Sequence, residues 1–426
     1  MQKIRIHDMK LSQLLFFTYQ RFRTKGLVGL WRFAKLKVAS WLHPDIYRKN
    51  FRQHADTVPT QGITFIADLC GKDSISKMAR DFVLSLKDAG IPFQAFDPNF
   101  SGDPSGTDIG QLLTAKENFN IRKYTVVAEM FEGSVPDELC TRHICIPFWE
   151  FESGFLEIHP KFAKIKEVAG MSDFNVAYYR RILPPATLVH KILYPLRFAP
   201  PSFDARDAVR SRYGIGEKDF AVFFNFSYLS GYHRKNPEAV LHAFALAFKK
   251  NANTKLVFKT MRSKDFPKEV ARLRNLAQEL GIAEKFISID TYIPHSDIYG
   301  LTAACDCYIS LHRGEGFGLG VAEAMLLGRP VVVSDYSSTR EFCTVENSIP
   351  IPCRLIPVKH SQIDNSFYSF VTEWADPDIP AAATALRRLY ADASLRQDIG
   401  HKAQAFIKDH FSIDNFRASI EAMMTR

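Results

Sequence analysis

Short apolar runs recur along this chain, each broken by a glycine or a polar turn before a longer stretch of helical periodicity. "ITFIAD" (63–68) is followed by "CGKDS" and then by "ISKMARDFVLSLKDAG", which reads as an amphipathic helix ending at Gly90. Ile75, Met78, Ala79, Phe82, Leu84 and Leu86 supply most of its apolar face. Strand-like runs follow at 93–96 ("FQAF"), 124–129 ("YTVVAE"), 143–148 ("HICIPF"), 174–179 ("FNVAYY") and 187–193 ("TLVHKIL"). Proline and polar residues at 194–219 read as a linker. A second series starts with "DFAVFFNF" (219–226) and continues with a helix near 237–250, "TKLVFKT" (254–260), a helix near 266–280, "KFISID" (285–290), a short helix near 296–304, "DCYISL" (306–311) and "VVVSD" (331–335). The C-terminal stretch reads as two or three helices. Such alternation demands parallel strands covered on both faces, so the fold class is α/β. The expected organisation is a basic extension at 1–60, one doubly wound Rossmann-like domain at 61–200, a second at 201–400, and C-terminal helices at 401–426 packing back on the first domain. Two such domains face a cleft, and ligands bind where strands end at their carboxyl side.

The loop after "CYISL" is "HRGEGFGLG", with glycines at 314, 316, 318 and 320. Alternating glycines let a ligand approach the main chain closely. The helix expected at about 321–327 presents unpaired N–H groups at its start, which attract anions and hydroxyl oxygens. Glu315 lies in the loop and Glu323 is expected in the first helical turn. A carboxylate accepts hydrogen bonds from vicinal hydroxyls, so this pair suits a sugar or ribose. The bland alternative is a solvated Glu315 and a Glu323 that complements the helix dipole. After the first strand of the second series comes "SYLSGYHRKNPEAV", where Asn236 is expected as the N-cap and Pro237 as the first helical residue. Arg234 and Lys235 beside a helix start oppose its dipole, a cost that makes sense if they face phosphate. Lys259, after "TKLVF", is a further candidate.

"EGFGLGVAEAMLLGRPVVVSD" resembles the E-x7-E signature of retaining glycosyltransferases of family 4, whose two-Rossmann architecture is called GT-B. "HRKNPEAVLHAF" resembles the phosphate-binding loop of that family, and the resemblance covers residues 219–426. "FWEFE" (148–152) is similar to a motif in a bacterial branch acting on polysaccharides. The resemblance implies that Arg234 and Lys235 bind the donor diphosphate and that Glu323 holds the ribose. It also implies that Glu315 faces the donor sugar and that backbone N–H groups of Gly316, Phe317, Gly318 and Leu319 lie near it. His312 and Arg313 are expected to border the pocket, the loop from Gly71 to Ser74 to close over phosphates or acceptor, and Glu150 and Glu152 to meet the acceptor. Two departures stand out: Gly320 where relatives often have Pro, and "YSSTRE" (336–341) where they often carry paired glycines.

The implied reaction moves a hexose-type sugar, with retention, from a nucleotide-diphosphate sugar to a glycan or lipid-linked acceptor in surface polysaccharide synthesis. The departing diphosphate is stabilised by fixed cations and helix N–H groups, and it takes the acceptor's proton itself. No cofactor and no metal are expected; the only short D-x-D, Asp376 to Asp378, reads as a surface turn. The alternatives are a non-catalytic nucleotide-sugar-binding module of a membrane-bound assembly complex, or another GT-B enzyme such as a phosphorylase or epimerase.

The formal charge is +9, and the excess lies in residues 1–55, where twelve Lys and Arg stand against two Asp. Phe16, Phe17, Trp31, Phe33 and Trp41 are interleaved with these cations. The segment either lies in a membrane interface on anionic headgroups or packs on the body with a solvated basic face. No nucleic-acid reader motif accompanies the charge, so nucleic acid is not an expected partner. The seven scattered cysteines lack zinc-type spacing and are expected as free thiols in a reducing cytoplasm. No signal-peptide pattern is visible, and no apolar run reaches the roughly 18–20 residues of a membrane span. The expected location is the cytoplasm, with the inner membrane face if the basic segment binds there.

Overall fold

A computed structural model describes residues 62–71, 74–97, 110–113, 125–129, 142–154, 165–197, 206–363, 368 and 370–425. The basic extension at 1–60, with its membrane-binding reading, lies outside the described residues. The chain divides into two compact units: one takes residues up to Phe148, Gly154–Arg197 and Ile413–Arg426, and the other takes Trp149–Ser153 and Phe198–Ser412.

The first unit holds a six-stranded sheet of β1 (Ile63–Ile66), β2 (Phe93–Phe96), β3 (Thr125–Glu129), β4 (His143–Ile146), β5 (Glu167–Gly170) and β6 (Leu188–Lys191). The order is β2-β1-β3-β4-β5-β6 and every neighbouring pair is parallel. The helix Ser74–Asp88 buries Met78, Ala79, Phe82, Val83 and Leu86. A step of about 100° per residue puts Val83 beside Ala79 and Leu86 and turns Leu84 away, so the face expected from sequence needs correction there. Ile75, also expected on that face, is 45% exposed.

Two further expectations are corrected. "FNVAYY" is not a strand but part of the helix Asp173–Ile182, started by Ser172, whose hydroxyl accepts the Asn175 N–H. Its buried residues Asn175, Val176, Tyr178 and Tyr179 follow a helical rather than a two-residue period. The stretch 194–219 is not all linker: Arg206–Arg212 is a helix, and Arg210, 1% exposed, donates to the carbonyls of Ala304, Gly216 and Asp219.

The last helix, Ile413–Thr425, belongs to the first unit, whereas Ala393–His410 stays in the second. Phe416 meets Phe82 edge-on at 5.2 Å. Arg142 donates to the carbonyls of Met423 and Met424 at the end of this helix and forks onto Glu167 at 2.9 and 2.5 Å. His190 reaches the same carboxylate at 3.0 Å. A cation on the last carbonyls suits the helix dipole, and the carboxylate neutralises it in turn.

The second unit has β7 (Phe220–Ser227), β8 (Thr254–Met261), β9 (Phe286–Ile289), β10 (Cys307–Ser310), β11 (Val331–Ser334) and β12 (Ile349–Ile351). They stand in the order β12-β11-β10-β7-β8-β9, all neighbours parallel. Phe220 to Phe224 are all buried, as expected for a strand covered on both faces. The chain runs from β7 outward to β9, then begins again at β10 on the other side of β7. That reversal opens a crevice at the carboxyl ends of β7 and β10, the general ligand position in such sheets. An antiparallel pair, β13 (Cys353–Pro357) with β14 (Glu373–Pro377), was not foreseen in the sequence. No described helix is long and apolar enough to cross a membrane.

Burial opposes ionisation of Glu167, but His190 and Arg142 override it and hold the carboxyl at about 2, against an ordinary 4.5. A depressed carboxyl contributes stability that is present above pH 4.5 and is lost as pH falls toward 2. Glu167→Gln should therefore cost about 2 kcal/mol at neutral pH. Measured by thermal unfolding, it should also lose less stability than the wild type across that acid window.

Candidate functional site

The loops after β7 and β10 carry the candidate residues. After β7 the chain makes a short helix, Tyr232–Lys235, turns at Asn236 and enters the helix Pro237–Phe248. Asn236 adopts a left-handed conformation (φ 55°) and occupies the N-cap position without capping. Its amide instead donates to the Leu311 carbonyl at 2.9 Å, tying this loop to the end of β10.

That tie brings two cations onto one carboxylate. Lys235 Nζ lies 2.5 Å from Glu315 Oε1, and Arg234 Nη1 lies 3.3 Å from Glu315 Oε2. Arg234 also donates to the carbonyls of Gly314 at 2.8 Å and Ser230 at 2.9 Å. Burial opposes ionisation of Glu315, yet Lys235 and then Arg234 hold its carboxyl at about 2. Glu315 is thus a fixed anion and not a solvated loop residue. Its N–H donates to Ser337 Oγ at 2.8 Å, and its carbonyl accepts from the Ser338 N–H at 3.3 Å. Ser337 has φ 62°, the left-handed conformation that glycine adopts freely, in the loop where the resemblance led one to expect glycines.

The helix after the glycine loop is Leu319–Leu326, with Gly318 (φ 94°) at its N-cap and no side chain capping it. Glu323 is its fifth residue, beyond the first turn, so the dipole-complementing reading fails. The carboxylate is 5% exposed and accepts from Tyr299 Oη at 2.9 Å, with His295 Nε2 at 3.0 Å. His295 and Tyr299 sit four apart on the helix His295–Ala304, a spacing that sequence reading passed over. Phe317 points its ring into the core against Phe342 and Phe411, both at 5.5 Å, which anchors the backbone of Gly316, Gly318 and Leu319.

Gly320 is explained by space and not by its dihedral angles. A Cβ there would lie 2.7 Å from both Tyr308 Oη and Asn225 Oδ1, which bond each other at 2.6 Å. A side chain at 320 would therefore have to displace the Tyr308–Asn225 pair, which ties β10 to β7.

The other candidates are placed as follows. His312 is 0% exposed, with Nδ1 3.1 Å from Ser310 Oγ and Nε2 3.3 Å from both the Tyr336 carbonyl and Thr339 Oγ1. Burial pushes it down to about 4, so it is a neutral staple between the loops after β10 and β11. Arg313 turns away from the cluster: it donates to the His233 carbonyl, lies over Trp374 and faces Asp376. There it lines a separate cavity of about 210 Å³ with Tyr232, His233, Glu238 and Arg272. Lys259 is buried in β8 opposite Asn225 and donates to the Thr260 carbonyl. Glu150 lies 3.6 Å from Arg234, and Glu152 is exposed. Gly71 is in the first unit, where Asp68 accepts its N–H and Arg80 donates to its carbonyl. Asp376 ends up in β14, paired with Arg313 and Arg354, and Asp378 caps the next helix. Among the described residues no group of His, Cys, Asp and Glu is gathered as metal ligands.

Residues 210–348 match the family described as Glycosyl transferases group 1. No curated protein matches the chain. Among solved structures the chain is similar to HepE from Anabaena, solved with UDP and glucose, at 15% identity and a TM-score of 0.59 over 85% of this chain and 99% of that one. It is similar to the sucrose-phosphate synthase of Thermosynechococcus elongatus at 16% identity and a TM-score of 0.63, over 86% and 98%. It is also similar to WaaG, a glycosyltransferase involved in lipopolysaccharide biosynthesis, at 15% identity and a TM-score of 0.55, over 85% and 99%. The fold is GT-B.

Gly320→Ala should destabilise the chain by about 1–3 kcal/mol through overpacking against the Tyr308–Asn225 pair. Combining it with Tyr308→Phe should recover part of that loss in urea unfolding, because one of the two clashing oxygens is gone. Strictly additive losses would contradict this account of the glycine.

Proposed function

We propose that this GT-B chain, with its group 1 glycosyltransferase domain, is a retaining glycosyltransferase that uses a nucleotide-diphosphate sugar without a metal ion. The observation that carries the reading is the meeting of Arg234, Lys235 and Glu315 at the carboxyl ends of β7 and β10, where the sheet's topology opens a ligand crevice. The second unit takes the donor and the first unit the acceptor. Lys235 and Arg234 stabilise the charge that grows on the departing diphosphate, assisted by the uncapped start of the helix Leu319–Leu326. The same helix carries Glu323, which takes the ribose hydroxyls while Tyr299 and His295 fix its carboxylate. Glu315 orients the cations and faces the sugar. The acceptor hydroxyl attacks on the face the diphosphate leaves, and the diphosphate oxygen accepts its proton, so no paired-carboxylate hydrolase geometry is required.

The donor sugar is of hexose type and the acceptor a glycan or lipid-linked glycan of a surface polysaccharide. Support for this finer reading comes from two neighbours: HepE solved with UDP-glucose, and WaaG, involved in lipopolysaccharide biosynthesis. The basic segment 1–55 places the enzyme at the cytoplasmic face of a membrane.

A panel of nucleotide sugars tests the proposal, first by thermal stabilisation and then by turnover. Lys235→Ala should lower kcat by about a hundredfold or more while leaving the fold intact. Glu323→Ala should weaken donor binding by about tenfold or more. Near-normal turnover in the first variant, or unchanged donor affinity in the second, would remove that residue from its assigned role.

A further inference from the structure

The chain enters the second unit for five residues, Trp149–Ser153, and is again part of the first from Gly154. This short crossing is anchored at several points. Trp149 donates its indole N–H to the Ser153 carbonyl at 3.2 Å, closing a turn. Ser153 Oγ accepts the Thr372 N–H at 3.1 Å and meets the Thr372 hydroxyl at 3.0 Å. Trp149 and Phe151 are 2% and 0% exposed, and both pack against the Tyr368 ring. Gly314 is what lets the crossing lie there: a Cβ at 314 would sit 2.6 Å from the Glu150 carbonyl and 2.8 Å from the Phe151 ring.

The alternation Trp149, Glu150, Phe151 buries the two rings and turns Glu150 toward the charged cluster. Glu150 Oε1 lies 3.6 Å from Arg234 Nη2 and accepts from Tyr368 Oη at 3.4 Å. The other guanidinium nitrogens are already committed, Nε to Ser230 and Nη1 to Gly314 and Glu315. A planar fork addressed at all three nitrogens cannot turn about its last bond. Tyr368 adds its ring, 5.9 Å from the guanidinium carbon. Arg234 itself is 4% exposed, so its direction is set by these neighbours and not by solvent.

We propose that Glu150, carried on this crossing, is a positioning residue that fixes the Arg234 guanidinium for leaving-group stabilisation and does not bind the acceptor. The inference rests on the functional reading above. It gives "FWEFE" a role on the donor side, and it makes Gly314 a condition of that role.

The test compares the wild type with Glu150→Ala, Glu150→Gln, Arg234→Lys and the double variant Glu150→Ala/Arg234→Lys, by steady-state kinetics with the donor found in the panel. Glu150→Ala should lower kcat about ten- to a hundredfold with the acceptor KM within about twofold, since misplacing a transition-state contact costs turnover. Glu150→Gln, which keeps an acceptor oxygen for Arg234, should stay within about fivefold of the wild type. In the Arg234→Lys background the Glu150→Ala penalty should shrink to about threefold or less, because residues that act through one another are not additive. Should Glu150→Ala fail to fold, Glu150→Asp, which withdraws the carboxylate by one methylene, should show the same loss of kcat. A raised acceptor KM with kcat preserved would overturn the inference, as would a penalty undiminished in the Arg234→Lys background. Wild-type turnover joined to unimpaired Glu150→Ala would overturn this inference alone. A wild type that turns over no nucleotide sugar would overturn the functional reading as well.

Discussion

The contact of Lys235 with Glu315, at 2.5 Å, and of Arg234 with the same carboxylate, at 3.3 Å, is the constraint on which the candidate site depends. Each partner comes from a different strand-ending loop, one after β7 and one after β10. Those strands are adjacent because the sheet reverses direction between them. Topology alone puts the loops together; the ion pairs then fix their register. The surrounding polar links have the same character: Asn236 to Leu311, Tyr308 to Asn225, and His312 between the loops after β10 and β11.

Burial gives this cluster its electrostatic strength. In a desolvated pocket an isolated carboxylate would protonate, and an isolated ammonium would lose its proton. Together they keep Glu315 ionised, with its carboxyl at about 2. On the proposed function, a cluster held this way is preorganised for the charge that grows on a departing diphosphate, which is what makes fixed charges effective at a leaving group. Buried pairs of this kind are weak sources of stability, so the cluster is better understood through the proposed chemistry than through the fold.

Much of this was legible in the chain. The alternation of strand-like and helical stretches announced strands buried on both faces, as Phe220 to Phe224 of β7 are, and "HRGEGFGLG" and "HRKNPE" marked the two loops that meet. What escaped was of two kinds. The helix Asp173–Ile182 was hidden because "FNVAYY" has strand-like composition, although Ser172 and Asp173 gave a start signal. β5 was hidden because "EVAG" is short and carries a charge, which Arg142 pairs and His190 contacts from distant positions. The partners of the site were hidden for the same reason. Tyr299, Tyr368 and Asn225 act through contacts of long sequence separation, which no local pattern encodes. Gly320 belongs here too: its meaning lies in the Tyr308–Asn225 pair above it and not in the loop that contains it.

The central claim is that the cluster releases a diphosphate while the acceptor attacks on the same face. The most direct measurement is proton NMR of the anomeric centre during turnover, with the best donor of the nucleotide-sugar panel. The account predicts that the product keeps the donor's anomeric configuration from its first appearance, with nucleoside diphosphate released in equal amount. A product of inverted configuration, or sugar transfer without release of a nucleoside diphosphate, would contradict it.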